Sequence, residues 1–297
     1  MDHYELKFRP LFVLTRFNIH VIGTTLDFYT LHRGLKIQIP SSAKVAGHII
    51  ECCGHLTKFL SFWNLSGALH FAYACYYDWT YVVVPKEVLP LYGTYGYKLK
   101  FLTFWDAVTQ ACYFSLCVFI DIWGSKNDQN ERNVLVRIKD YVEASIAFPI
   151  AMFVGVTFWG LMAVDRELVL PAALDPYFPS WLNHMMHTNI LIFQFLEIIT
   201  STRVYPQRKH ALVGLMTFQT TYLIWMHIVH YKSGVWAYPI FEKLNVPLRI
   251  GFFVGCFTLG GLMYFLGEKL HYLLWQKGAN ERMPHPNVKY DPNAVSQ

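Results

Sequence analysis

Six windows along this chain are apolar almost throughout, each long enough for a helix to cross the hydrocarbon core of a bilayer, which takes ~20 residues. They cover residues 59–84, 101–123, 144–164, 181–200, 211–230 and 248–267, the last running on apolar to Trp275. Charge inside them is sparse: Asp78 in the first, Asp106 and Asp121 in the second, Glu197 in the fourth and Arg249 at the start of the sixth. Pro85, Pro90, Pro171, Pro179, Pro206 and Pro247 mark the short connections, where a residue without an N–H ends a helix. The pattern predicts an all-α polytopic membrane bundle of about six transmembrane helices. Residues 59–275 would form the membrane domain, 1–58 a cytoplasmic extension partly resting on the membrane surface, and 276–297 a cytoplasmic tail. No internal repeat or low-complexity tract is present.

Composition agrees with this division, since 54% of the 297 residues are hydrophobic and 15% charged, too apolar and too clustered for a water-soluble core. Nearly all of the 25 Lys and Arg lie between the apolar windows and they form no stripe, which argues against nucleic acid as a partner. Their distribution sets orientation. With six spans, 17 fall on the side of both termini and 6 on the other, so both termini are expected in the cytoplasm. The first 30 residues do not have signal-peptide form. Four cysteines sit inside apolar windows, and no CxxC spacing occurs; Cys52 and Cys53, just before the first window, are candidates for palmitoylation. A multi-pass protein of the endoplasmic reticulum or plasma membrane is expected, with membrane lipids as its surroundings and protein partners left open.

Polar side chains are costly inside a bilayer, so their positions point to function. The orientation places Thr103 and Asp106 at the outer end of the second span, with His184 and His187 at the outer end of the fourth. Asp165 follows the third span, and His227 and His230 close the fifth. Helical spacing groups them into three faces: Thr103, Asp106 and Gln110; His184, His187 and Gln194; Thr220, His227 and His230. One chemistry for such a cluster is nucleophilic: a hydroxyl attacks an acyl carbonyl while histidine takes its proton. The free N–H groups at the starts of the second and fourth spans, with the Asn183 side chain, are candidate oxyanion donors, and Asp106 and Asp165 are candidates to orient the base. His184 and His230 could support it. A second chemistry is ligation of haem or metal, because His184 with His187 and His227 with His230 have HxxH spacing; the histidine-rich boxes of a di-iron site and the two-depth pattern of a two-haem bundle are both lacking. A transporter or scaffold is the third reading, weakened by the lack of matching broken helices in the two halves.

The strings LKFLTFWD (99–106), VDRE (164–167), WLNHMMHT (181–188), YP at 205–206, VHYKSGVWAYPIFE (229–242) and LGE (266–268) resemble, in order and spacing, the androgen-induced membrane protein family. The resemblance covers roughly residues 67–275. It implies a multi-span threonine hydrolase that cleaves fatty acid esters of hydroxy fatty acids within the bilayer and needs no cofactor. Carried over, the threonine of FLTF is Thr103, as nucleophile, and the second histidine of NHMMHT is His187, as base. His227 is outside that pattern, and the N-terminal extension has no counterpart in it.

Overall fold

In the computed structural model, residues 43–123 and 134–276 are described. Among them the chain forms six long helical segments and no strand: α1 (Ala43–Tyr81), α2 (Leu102–Trp123), α3 (Val134–Val164), α4 (residues 180–200), α5 (Arg208–Ser233) and α6 (Val246–Trp275). The protein is an all-α, polytopic membrane bundle.

The expectation of six spans is met in part. Among the described residues four helices are long and apolar enough to cross a membrane: α2, α3, α5 and α6. The other two windows are helical, but polar side chains dilute them, Asn64, His70 and Asp78 on α1 and Asn183, His184, His187, Asn189, Gln194 and Glu197 on α4. A second difference concerns α3, which starts at Val134, ahead of the expected residue 144. The added segment is amphipathic, and its Asp140 and Glu143 are buried against polar partners. Residues 1–42 and 277–297 lie outside the described residues, as do the side chains of Cys52 and Cys53.

Local sequence explains one of the irregular turns. Pro149 has no N–H to give and its ring crowds the carbonyl of residue 145, so α3 widens into a π-turn over Glu143–Ala147. α4 carries another over Met185–Asn189, and its buried residues there are Met186 and His187. Close crossings use small residues, as between membrane helices generally. A Cβ at Gly67 of α1 would lie 2.7 Å from the Phe114 ring of α2, and one at Gly155 of α3 would lie 2.6 Å from Leu191 of α4. The apolar core built on these contacts holds Phe71, Phe114, Phe148 and Phe193 together across α1, α2, α3 and α4. It fixes the relative rotation of α2 and α4, the two helices that bear Thr103 and His187.

Candidate active site

Leu102 begins α2, which places Thr103 on its first turn. His187 lies in the π-turn of α4, and that turn presents the ring toward α2. Thr103 Oγ1 and His187 Nε2 are 3.1 Å apart. The other ring nitrogen, Nδ1, is 3.0 Å from the main-chain carbonyl oxygen of Asn183, one turn earlier. A carbonyl only accepts, so Nδ1 carries the proton, and Nε2 is left with a lone pair that accepts the hydrogen bond of the Thr103 hydroxyl. Phe158 of α3 stacks on the imidazole, centroids 3.6 Å apart and planes within 16°. His187 is thus held by a carbonyl and an aromatic face, with no carboxylate in contact.

Thr103 and His187 both line a cavity of about 180 Å³ whose walls come from all six helices. Most of its lining is aromatic or aliphatic: Phe104, Phe153, Phe158, Leu161, Met186, Leu223, Met226 and Phe253 among others. The polar groups on the wall are few, chiefly Asp78, Lys98, Thr157, Gln219, Tyr222 and Tyr238. An apolar cleft with a small set of convergent polar groups is the usual form of a site for an apolar ligand.

The remaining expected residues go to different places. Asp106 is fully buried, but accepts from Gln110 Nε2 at 3.0 Å rather than meeting His187. Gln110 in turn donates to the Ala147 carbonyl at 2.9 Å and accepts from Gln194, so two of the expected faces join as an amide chain below the Thr103–His187 pair. Asn183 is buried, and it is its carbonyl that orients the His187 ring; its side-chain oxygen has no hydrogen-bond partner. Asp165 caps the turn Arg166–Leu168 through the Glu167 N–H and pairs with Lys243 at 3.2 Å. These two contacts hold its carboxyl below the usual carboxylate range, and it is not part of the cavity wall. His184 is exposed and hydrogen-bonds Thr188. The third face does not join the others: His230 stacks on Trp236 at 3.8 Å, and His227 meets the edge of the same ring. The two HxxH pairs therefore do not converge, and among the described residues no three His, Cys, Asp or Glu side chains are grouped to hold a metal ion.

Phe158, Tyr238 and Tyr222 belong to the site and had no role in the sequence reading. Phe158 carries no signal of its own in an uncharged apolar window. Tyr238 stands in the VHYKSGVWAYPIFE string, and its hydroxyl accepts the Leu102 N–H at 2.9 Å, which removes that free donor from the start of α2. Tyr222 donates to the Lys100 carbonyl at 2.9 Å and stands 3.4 Å from the Tyr238 hydroxyl.

Residues 59–272 match the family model described as FAR-17a/AIG1-like protein. The human androgen-induced gene 1 protein is 39% identical over 210 residues, covering 68% of this chain and 88% of the relative. The androgen-dependent TFPI-regulating protein of Mesocricetus auratus is 32% identical over 206 residues (66% and 89%), and that of Mus musculus 33% over 188 residues (63% and 82%). No solved structure matches the chain.

Proposed function

The chain belongs to the FAR-17a/AIG1-like family, and we propose that it is a membrane lipid esterase which cleaves fatty acid esters of hydroxy fatty acids with Thr103 as nucleophile and His187 as base. The single observation that carries this reading is the 3.1 Å contact between the Thr103 hydroxyl and an imidazole nitrogen oriented to accept, on the wall of an apolar cavity. A threonine hydroxyl alone is too weak an acid to react near neutral pH, and a neighbouring neutral imidazole is the group that changes this.

Thr103 Oγ attacks the ester carbonyl carbon as its proton moves to His187 Nε2. The tetrahedral intermediate collapses by breaking the bond to the hydroxy fatty acid, whose departing oxygen takes that proton, and the fatty acyl group stays on Thr103. Water then attacks the acyl-threonine, giving its proton to Nε2; collapse releases the fatty acid and returns the proton to Thr103. The Tyr238 hydroxyl is assigned as the oxyanion donor. It accepts from Leu102 beside the nucleophile, and its own proton, which faces the Tyr222 oxygen at 3.4 Å, would turn to the oxyanion. The acyl chain enters sideways from the bilayer.

We propose with it the six-span arrangement, both termini cytoplasmic, which puts the Thr103–His187 pair near the outer face. Purified protein assayed on a panel of lipid esters tests the activity. Hydrolysis of the hydroxy fatty acid esters that disappears in Thr103→Ala is the expected result; the same hydrolysis persisting in that variant would refute the nucleophile.

A further inference from the structure

The chain before α2 is turned inside out. In the run Tyr97-Lys98-Leu99-Lys100, the two lysines are buried, 2% and 1% exposed, while Tyr97 and Leu99 are 39% and 42% exposed. The backbone produces this inversion: Gly96 has φ 91° and Tyr97 φ 44°, left-handed conformations that redirect the chain just before the lysines. A side chain with a Cβ is uncommon there, so the turn at Tyr97 costs free energy that packing elsewhere must offset. Lysine at a membrane surface ordinarily extends to water, and burying two ammonium groups is costly unless they meet acceptors or anions.

Anions are short. Lys98 pairs with Asp78 at 2.9 Å, and its ammonium lies over the Tyr92 ring, 5.3 Å from the centroid. Lys100 has neutral partners only, the Leu91 carbonyl and the Thr94 hydroxyl. Among the described residues Asp78 is the one carboxylate within ion-pair distance of either lysine, so the cluster holds two cations against one anion. Burial lowers both lysines from the ordinary range, Lys100 to about 8, with Lys98 adding to that effect. Lys98 and Asp78 face the same cavity as Thr103 and His187, and Lys98 is the one lysine or arginine among the described residues of its wall.

We infer that Lys98 binds the free carboxylate of the lipid whose ester bond Thr103 attacks, so that the enzyme selects esters with an anionic head over neutral ones. The inference rests on the hydrolase reading and adds to it the part of the substrate that is recognised. Asp78 holds the ammonium in place through one of its three N–H groups, and the others remain for a ligand. A long-chain carboxylate brings the missing negative charge and a chain that suits the aromatic walls.

The test compares the palmitate ester of hydroxystearic acid with the methyl ester of the same compound, in nanodiscs of neutral lipid. Wild type should favour the acid roughly tenfold or more in kcat/KM, mainly through KM, as expected for a hydrogen bond to a charged group. In Lys98→Gln the ratio should fall toward one, and Asp78→Asn/Lys98→Gln, which leaves no unpaired buried carboxylate, should behave alike if the single variant folds poorly. Affinity is measured separately on Thr103→Ala, where no turnover occurs, by tryptophan fluorescence. If acid and methyl ester bind Thr103→Ala equally, the carboxylate site is wrong whatever the enzyme hydrolyses. If the acid binds more tightly yet wild type cleaves neither, the esterase reading fails and the site stands.

Discussion

The two ends of α4 treat buried polarity in opposite ways. Toward its start, His187 meets neutral groups, a hydroxyl, a carbonyl and an aromatic face, beside a cavity. Past its end, charge is matched with charge: Arg203, almost fully buried, pairs with Glu143 at 2.7 Å and lies 4.0 Å from Glu197. Glu197 accepts from Tyr113 at 2.8 Å, and Asp140 accepts from the Val204 N–H at 3.0 Å. His187 and Glu197 are ten residues apart, about 15 Å along the helix axis. One end ties α2, α3 and α4 to the loop after them through paired ions that form no part of the cavity wall. The other end keeps its hydrogen-bonding capacity pointed at open space. Burial of a polar group alone therefore does not mark a site; burial beside a cavity with donors left over does.

The largest effect should come from breaking the first end. Thr103→Ala and His187→Ala are each expected to lower ester hydrolysis by about 10³-fold or more, with the double variant no worse than either, because nucleophile and base act as one unit. Thermal unfolding midpoints should stay close to wild type, and Thr103→Ser should retain measurable activity. A double variant whose losses multiply would show that the two residues act separately.

Breaking the second end should do the reverse. Arg203→Met leaves Glu143 without its cation and is expected to destabilise by about 3–5 kcal/mol, read as lost folded protein in detergent. Glu143→Gln/Arg203→Met should recover much of that loss and, once folded, should hydrolyse ester like wild type. Wild-type stability in Arg203→Met alone would mean that the ion pair does not tie this end together.

Smaller effects sharpen the boundary. Tyr238→Phe should reduce kcat roughly 10²-fold with little change in KM if its hydroxyl faces the oxyanion. A change confined to stability would limit Tyr238 to holding the start of α2. His184→Ala and His230→Ala should alter kcat/KM by no more than about threefold, since each removes a side chain bonded or stacked outside the Thr103–His187 pair.

Sequence periodicity alone grouped Thr103 with Asp106 and Gln110, and His187 with Gln194, and the structure joins those two faces. It could not show how far each helix is rotated against its neighbour, so it treated the face of His227 and His230 as equivalent to the others. Hydropathy found all six helical windows and overstated the apolarity of α1 and α4, the helix with the most polar groups being the one that bears His187. What orients His187 was beyond its reach for a plain reason: a main-chain carbonyl exists at every residue, and only the fold singles out that of Asn183. Lys98 and Lys100 looked like ordinary loop cations because the left-handed turn at Gly96 and Tyr97 has no signature that a charge count detects. The Arg203–Glu143 pair likewise joins residues 60 positions apart.

The π-turn at Met185–Asn189 has a consequence for insertion and deletion. Such a turn is an α-helix with one residue too many, and each helical residue turns the chain by about 100°. Loss of any one residue between 185 and 189 would leave an unbroken helix with its apolar character unaltered. The part of α4 ahead of the gap would nonetheless swing to another face, parting the Asn183 carbonyl from the imidazole when the loss falls before His187 and the imidazole from Thr103 when it falls after. In this family, then, a one-residue change of length in α4 would alter the site more deeply than most replacements of a side chain there.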